Sequence, residues 1–273
     1  MEIKLPESEG KYTKADLKLI EYIETNTEKF LFMSISQLSE NTGMSEATIS
    51  RFARHMGYQD YKELRNGIIK QQMQNGAAGK LAGTLLKNEG FDAYKWFTYQ
   101  QECLQKTMEN IEPEVFLNAL LMIEKAERIY IHAKNASASV GQLLFFRLRR
   151  LGLNVSVIPS GGSEVMEGIA HAGKSDLVIL FSFAKLSKEG QVILDYSQKA
   201  GYQTLSFTSR KFIPKEQQAD INLYVYRGEE TEYHSMCTAI AMIDALVLAL
   251  SEKMQILSSE HLFQIQELKR IYY

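Results

Sequence analysis

DLVILFSFAKLSKE, residues 176–189, decides the fold. Asp176 to Phe181 is an apolar run with no alternation, which reads as a strand buried on both faces. A helix is expected from about Lys188. Between them lie Ser182, Ala184, Lys185 and Ser187. A strand-to-helix turn rich in hydroxyls suits an anion, because the free N–H groups at a helix N-terminus point at it. This turn carries no glycine, and Leu186 sits in its middle. The sequence leaves open whether it holds anything.

Working outward, four more short β-rich runs surround it: IYIHA (129–133), VSVIP (155–159), TLSFT (204–208) and INLYVY (221–226). Helical stretches separate them at 137–151, 163–172, 188–200 and 233–254. Strands alternating with helices, each strand apolar on both sides, imply a parallel sheet covered on both faces. The expectation is a doubly wound α/β domain, five parallel strands in flavodoxin-like order, with a polar helical tail after it. Ligands of such sheets sit beyond the carboxyl ends of the strands. The turns there are HAKNASAS (132–139), IPSGGSE (158–164), SFAKLSKE (182–189) and FTSRKF (207–212). All four carry hydroxyls, a lining suited to a phosphate and to sugar hydroxyls.

The N-terminal part has a different pattern. Residues 12–70 read as helical almost throughout, with Leu17, Ile20, Ile23, Phe30 and Leu31 recurring at helical spacing. Within it, ISQLSENTGMSEATISRFARHMG (35–57) has the spacing of a helix-turn-helix. Leu38, Thr42, Met44, Ile49 and Phe52 fall at inward positions, and Gly43 falls where the turn needs positive φ. Ser45 is placed to cap the second helix. Ser45, Glu46, Ala47, Thr48, Ser50, Arg51, Arg54 and His55 then face outward, and side chains of these types reach base edges and phosphates of double-stranded DNA. Residues 1–70 hold seven Lys and three Arg against nine Glu and two Asp, one net negative charge. A single copy would bind DNA weakly, which favours a homodimer or higher homo-oligomer on one operator. Arg51, Arg54, Lys62 and Arg65 are the local positive charges expected to contact DNA, and the helix expected after Gly57 could offer backbone amides to a phosphate. The chain divides into a helix-turn-helix domain (1–75), a linker and connecting helix (76–110), the α/β domain (111–255) and the helical tail (256–273).

SISQLSENTGMSEATISRFARHMGYQDYKELR (34–65) resembles the N-terminal domain of the RpiR-type (MurR/RpiR) bacterial transcription regulators. In that family a DNA-binding domain precedes a sugar isomerase (SIS) domain, the order found here. The resemblance implies a regulator of sugar or amino-sugar metabolism controlled by a phosphosugar. Two family loops map onto this chain. Gly-x-Gly-x-Ser becomes Ala133-Lys134-Asn135-Ala136-Ser137, with both glycines gone. Ser-x-Ser-Gly-x-Thr or Ser becomes Ser182-Phe183-Ala184-Lys185-Leu186-Ser187. The resemblance thus implies effector contacts from Lys134, Asn135, Ser137, Ser182, Lys185 and Ser187, with Glu232 as an acid for sugar hydroxyls. Two readings stay open. Lys134 or Lys185 replaces the lost hydrogen bonds with charge, or the site has degenerated and the protein is a constitutive DNA-binding dimer.

The remaining features bound the function. A hydrophobic content of 45% and net charge −2 are ordinary for a globular protein with no global affinity for nucleic acid. Cys103 and Cys237 have no metal-ligand spacing and read as free thiols of a reducing compartment. MEIKLPESEG does not read as a signal peptide, and the apolar stretch near 239–250 is too short to span a bilayer. A cytoplasmic protein without membrane association, metal or cofactor is expected. His132, His171 and His234 show no triad spacing. A phosphosugar isomerase remains as the enzymatic alternative, with only Glu232 and His234 as candidate bases and no convincing acid–base pair.

Overall fold

The computed structural model describes residues 12–73, 77–86, 91–230 and 232–272. The chain forms two compact units. The first runs up to Trp96 and includes 228–234; the second comprises Phe97–Arg227 and the residues from Ser235 onward.

The first unit contains α1 (Lys14–Thr25), α2 (Thr27–Phe30), α3 (Ile35–Thr42), α4 (Glu46–His55), α5 (Tyr61–Met73) and α6 (Ala77–Leu86). Leu19, Ile23, Phe30, Leu38, Ile49, Phe52, Leu64 and Ile68 form its core, each at most 1% exposed. Leu17, assigned to the apolar stripe on spacing, is 54% exposed, and Leu19 takes the inward position instead. The pair Leu19 and Ile23, one helical turn apart, sets the phase of α1. Thr13 and Ser34 each begin a helix with a reciprocal capping box, closed by Asp16 and Gln37. Such a box satisfies two amides that a helix start would otherwise leave unpaired.

The second unit contains α8 (Pro113–Lys125), β1 (Arg128–His132), α9 (Ser137–Arg150), β2 (Val155–Val157), α10 (Glu164–Ile169), β3 (Asp176–Phe181), α11 (Lys188–Ala200), β4 (Gln203–Thr208), β5 (Ile221–Tyr224), α12 (Cys237–Lys253) and α13 (Gln255–Tyr272). Most of α7 (Ala93–Met108) belongs to it as well. The strands are all parallel, in the flavodoxin-like order β2-β1-β3-β4-β5. On one face Ile131, Ile179, Phe181 and Phe207 pack with side chains of α8, α9 and α12. On the other, Tyr130, Val178 and Leu180 pack with side chains of α10 and α11. The order in which strands are added reverses between β1 and β3, so the crevice at their carboxyl ends is where a ligand has room.

Asp16 links helix capping to tertiary structure. Its carboxylate accepts from the Thr13 amide and hydroxyl, both at 2.8 Å, and lies 3.0 Å from His55 Nδ1 on α4. Burial pushes its pKa up, but the bonds from Thr13 and His55 outweigh burial and hold it below 3.8. A carboxyl depressed in the folded state stabilises above its ordinary pKa and loses that contribution as pH falls through the folded value. Asp16→Ala should therefore lower the stability of the first unit by about 1 kcal/mol at pH 7. Thermal melts followed by circular dichroism should show variant and wild type converging as the pH is taken below 3.8.

Candidate functional site

The reading surface is built by the turn between α3 and α4. Gly43 adopts φ 67°, and its amide closes onto Ser39 O at 2.9 Å. Ser39 Oγ donates to Met44 O at 2.5 Å, which fixes the exit of the turn. Ser45 then caps α4 by accepting from the Thr48 amide at 3.2 Å, and the two hydroxyls lie 2.9 Å apart. Arg51 Nη2 donates to Thr48 Oγ1 at 3.4 Å. Ser45, Glu46, Ala47, Arg51 and Arg54 are exposed, while Thr48 and Ser50 are half-buried. Ile49 and Phe52 anchor the opposite side of the helix in the core.

Two residues assigned to this surface point elsewhere. His55 turns toward α1 and binds Asp16, so its ring secures the packing of α4. The Arg65 guanidinium donates to Met33 O and lies 5.6 Å from the Tyr61 ring, whose hydroxyl donates to the same carbonyl at 2.9 Å. Burial lowers the Arg65 pKa and raises that of Tyr61 to about 12. Arg65 thus crosslinks α5 to the loop before α3. The start of α5 is also less open to an anion than its sequence suggests. Asp60 accepts from the Glu63 amide at 2.8 Å, and Glu63 accepts from the Gln59 amide at 2.5 Å.

At the carboxyl ends of the sheet, Asn135 takes φ 52°, the left-handed conformation its amide side chain tolerates. Ser137 opens α9 and is half-buried. Ser187 caps α11, accepting from the Gly190 amide at 3.0 Å. Lys134 reaches across from the β1 turn to Glu189 Oε1 at 2.8 Å. That ammonium, with hydrogen bonds from the Glu189 amide and the Ser187 hydroxyl, holds the Glu189 carboxyl down at about 2. Gly161 lies against this pair, close enough that a Cβ there would sit 3.6 Å from Glu189 Oε1.

The other expected ligand residues are placed differently. Ser182 is buried and its hydroxyl lies 2.6 Å from that of Ser206, so it is engaged inside the sheet. Lys185 is exposed. Phe183 is buried in the core beneath the guanidinium of Arg227. Glu232 falls in 228–234, which groups with the first unit, and its carboxylate accepts from the Glu229 amide at 3.3 Å. Glu189 and Arg227 carry no individual assignment from sequence, and His132 is marked there only by its lack of triad spacing. His132 is 4% exposed, and neither ring nitrogen has a hydrogen-bond partner among the described residues. Burial depresses its pKa. A polar residue closing a strand beside a hydroxyl-rich turn is the one signal that could have marked it.

Away from this crevice, a groove of about 430 Å³ is lined by Leu104, Met108 and Ile111 on one side and Ala241, Met242 and Ala245 on the other. Among the described residues no group of His, Cys, Asp or Glu could hold a metal ion, and no helix is long and apolar enough to cross a membrane.

Two family profiles match separate parts of the chain. The profile of the helix-turn-helix domain of the rpiR family matches residues 1–75, and that of the SIS domain matches residues 122–250. The Vibrio vulnificus NanR protein, solved with ManNAc-6P, shares the fold at 22% identity and a TM-score of 0.58, over 94% of this chain and 93% of that one. The sugar isomerase domain of an RpiR transcription factor from Sphaerobacter thermophilus is 23% identical, with a TM-score of 0.59 over 63% of this chain and 96% of that one. A Listeria monocytogenes protein proposed to be a sugar-phosphate isomerase is 16% identical, with a TM-score of 0.50 over 63% of this chain and 97% of that one. The chain thus joins a helix-turn-helix domain of the rpiR family to an SIS domain.

Proposed function

We propose that this regulator binds its operator through α4 and answers to a phosphosugar held at the carboxyl end of the SIS sheet. The observation that carries the DNA reading is the capped α4, which leaves Ser45, Arg51 and Arg54 exposed on one helix while Ile49 and Phe52 hold it in the core. Ser45, Glu46, Thr48, Ser50, Arg51 and Arg54 are its contact residues; His55 contributes through the position of α4.

Effector binding rests on Ser187, Ser137, Asn135 and Lys134. The positive end of the α11 dipole and the nearby ammonium suit a phosphate. The ManNAc-6P complex of NanR supports the same ligand class. Exposed Phe146 on α9, with Ile240 and Leu248 on α12, supports a homodimer through the SIS domain. A regulatory rather than enzymatic role is supported by the rpiR-family helix-turn-helix domain. A constitutive DNA-binding dimer is the second reading. It is favoured by the engagement of Ser182 with Ser206 and of Lys134 with Glu189.

Arg51→Ala and Arg54→Ala should each weaken binding to a footprinted operator by about 1–3 kcal/mol if they read bases, or reduce the salt slope by about 1 if they touch phosphate. Wild-type affinity and slope in both variants, measured by fluorescence anisotropy, would remove α4 from the interface. Thermal-shift screening against hexose and hexosamine phosphates should raise the unfolding midpoint. Glu189→Gln, which frees Lys134 from its internal anion, should enlarge that shift. An absence of shift in both proteins across the panel would decide for the constitutive dimer.

A further inference from the structure

Arg227 follows β5 and is 6% exposed. Its guanidinium lies 3.8 Å from the centre of the Phe183 ring. Nε donates to Ser209 Oγ at 3.3 Å, and Nη1 lies 3.5 Å from Met236 Sδ. Its partners are therefore a hydroxyl, a thioether and an aromatic face. None of them carries a negative charge, and no carboxylate pairs with it among the described residues. Burial lowers its pKa to about 10, so it remains a cation at neutral pH.

Three other cations of the second unit pair with carboxylates, while Arg210, just past β4, donates to the side-chain oxygen of Gln217. Lys134 pairs with Glu189, Lys253 with Glu124 and Arg147 with Asp244. All three are more exposed than Arg227, so water would screen them even without a partner. A buried guanidinium without a counter-charge is the costly case, because desolvation is not offset by an ion pair. Cation–π contact with Phe183 recovers part of that cost but does not neutralise the charge.

Its position suggests what does. Phe183 lies between Ser182 and Ala184 in the β3–α11 turn, and Ser209 follows β4. Arg227 thus stands at the carboxyl ends of β3, β4 and β5. Phe183 belongs to the core on the α9 and α12 face of the sheet. Lys134 and Glu189 meet on the α11 side of the same turn. Lys134 and Arg227 thus flank the same turn. One is already neutralised by the protein and the other is not. A phosphate at the start of α11 leaves Arg227 uncompensated.

We propose that Arg227 is an effector-binding residue that receives a second acidic group, so that the effector is a sugar phosphate that also carries a carboxylate. This rests on the reading that the crevice binds a phosphosugar. A carboxylate matches the planar guanidinium fork in two parallel hydrogen bonds, which a neutral sugar hydroxyl cannot reproduce.

The test compares full-length wild type with Arg227→Met by isothermal titration against four probes: inorganic phosphate, glucose 6-phosphate, gluconate and 6-phosphogluconate. Wild type should bind 6-phosphogluconate about tenfold or more tighter than glucose 6-phosphate, as a charged hydrogen-bonded pair gives. Arg227→Met should lose that preference and keep its affinity for glucose 6-phosphate. Without ligand, Arg227→Met should melt at or above the wild-type temperature, because an apolar side chain replaces an uncompensated charge. A melting temperature several degrees lower would show a structural cation and overturn the proposal. Equal loss of affinity for both sugar phosphates would place the single phosphate on Arg227 and also overturn it. An unchanged preference with intact glucose 6-phosphate binding defeats this inference alone, and no binding of any probe by either protein defeats the phosphosugar reading with it.

Discussion

Burial of β3 on both faces is the constraint from which the rest of the SIS domain follows. Every residue from Asp176 to Phe181 is buried, with β1 and β4 as parallel neighbours. Such a strand has no surface on which to carry a ligand-binding side chain. Its polar chemistry is pushed to its ends. At the entry, Asp176 turns its carboxylate back onto the Gly173 amide at 2.8 Å. At the exit, Ser182 pairs with Ser206 and Ser187 caps the next helix. Parallel order then lines up the exits of β1, β3, β4 and β5 along one edge, where Lys134, Glu189, Ser209 and Arg227 are found.

Much of this was legible in the sequence because the determining signals are local. Gly43 and Ser45 act within a few residues of themselves, and they specify both the turn and the helix that follows. The strand order follows from long apolar runs separated by helical stretches, together with the handedness rule for parallel crossovers. Asn135 could be assigned its left-handed conformation from chemistry alone.

What escaped the sequence depends on pairings across long separations. Ser182 meets a hydroxyl 24 residues away, Asp16 meets a histidine 39 residues away, and Lys134 meets a carboxylate 55 residues away. Residue type did not reveal that Ser182 is consumed inside the sheet while Ser187 is committed to a helix amide. Nor could it separate Arg51, which is exposed, from Arg65, which is folded onto a tyrosine and a carbonyl. Leu17 shows the same limit on a smaller scale, because apolar spacing alone did not fix the rotational phase of α1.

The bond between His55 and Asp16 has a mechanical meaning. α4 is a rod of about 15 Å for its ten residues, held at its start by the α3 turn and, toward its end, by this bond together with the buried Phe52 and Met56. A shift of 1 Å at the His55 end would tilt the rod by roughly 4° over that length. The histidine therefore works as an indexing pin, setting the angle at which the exposed side of the rod meets whatever lies in front of it. Its ring can govern the alignment of Ser45 and Arg51 without standing among them.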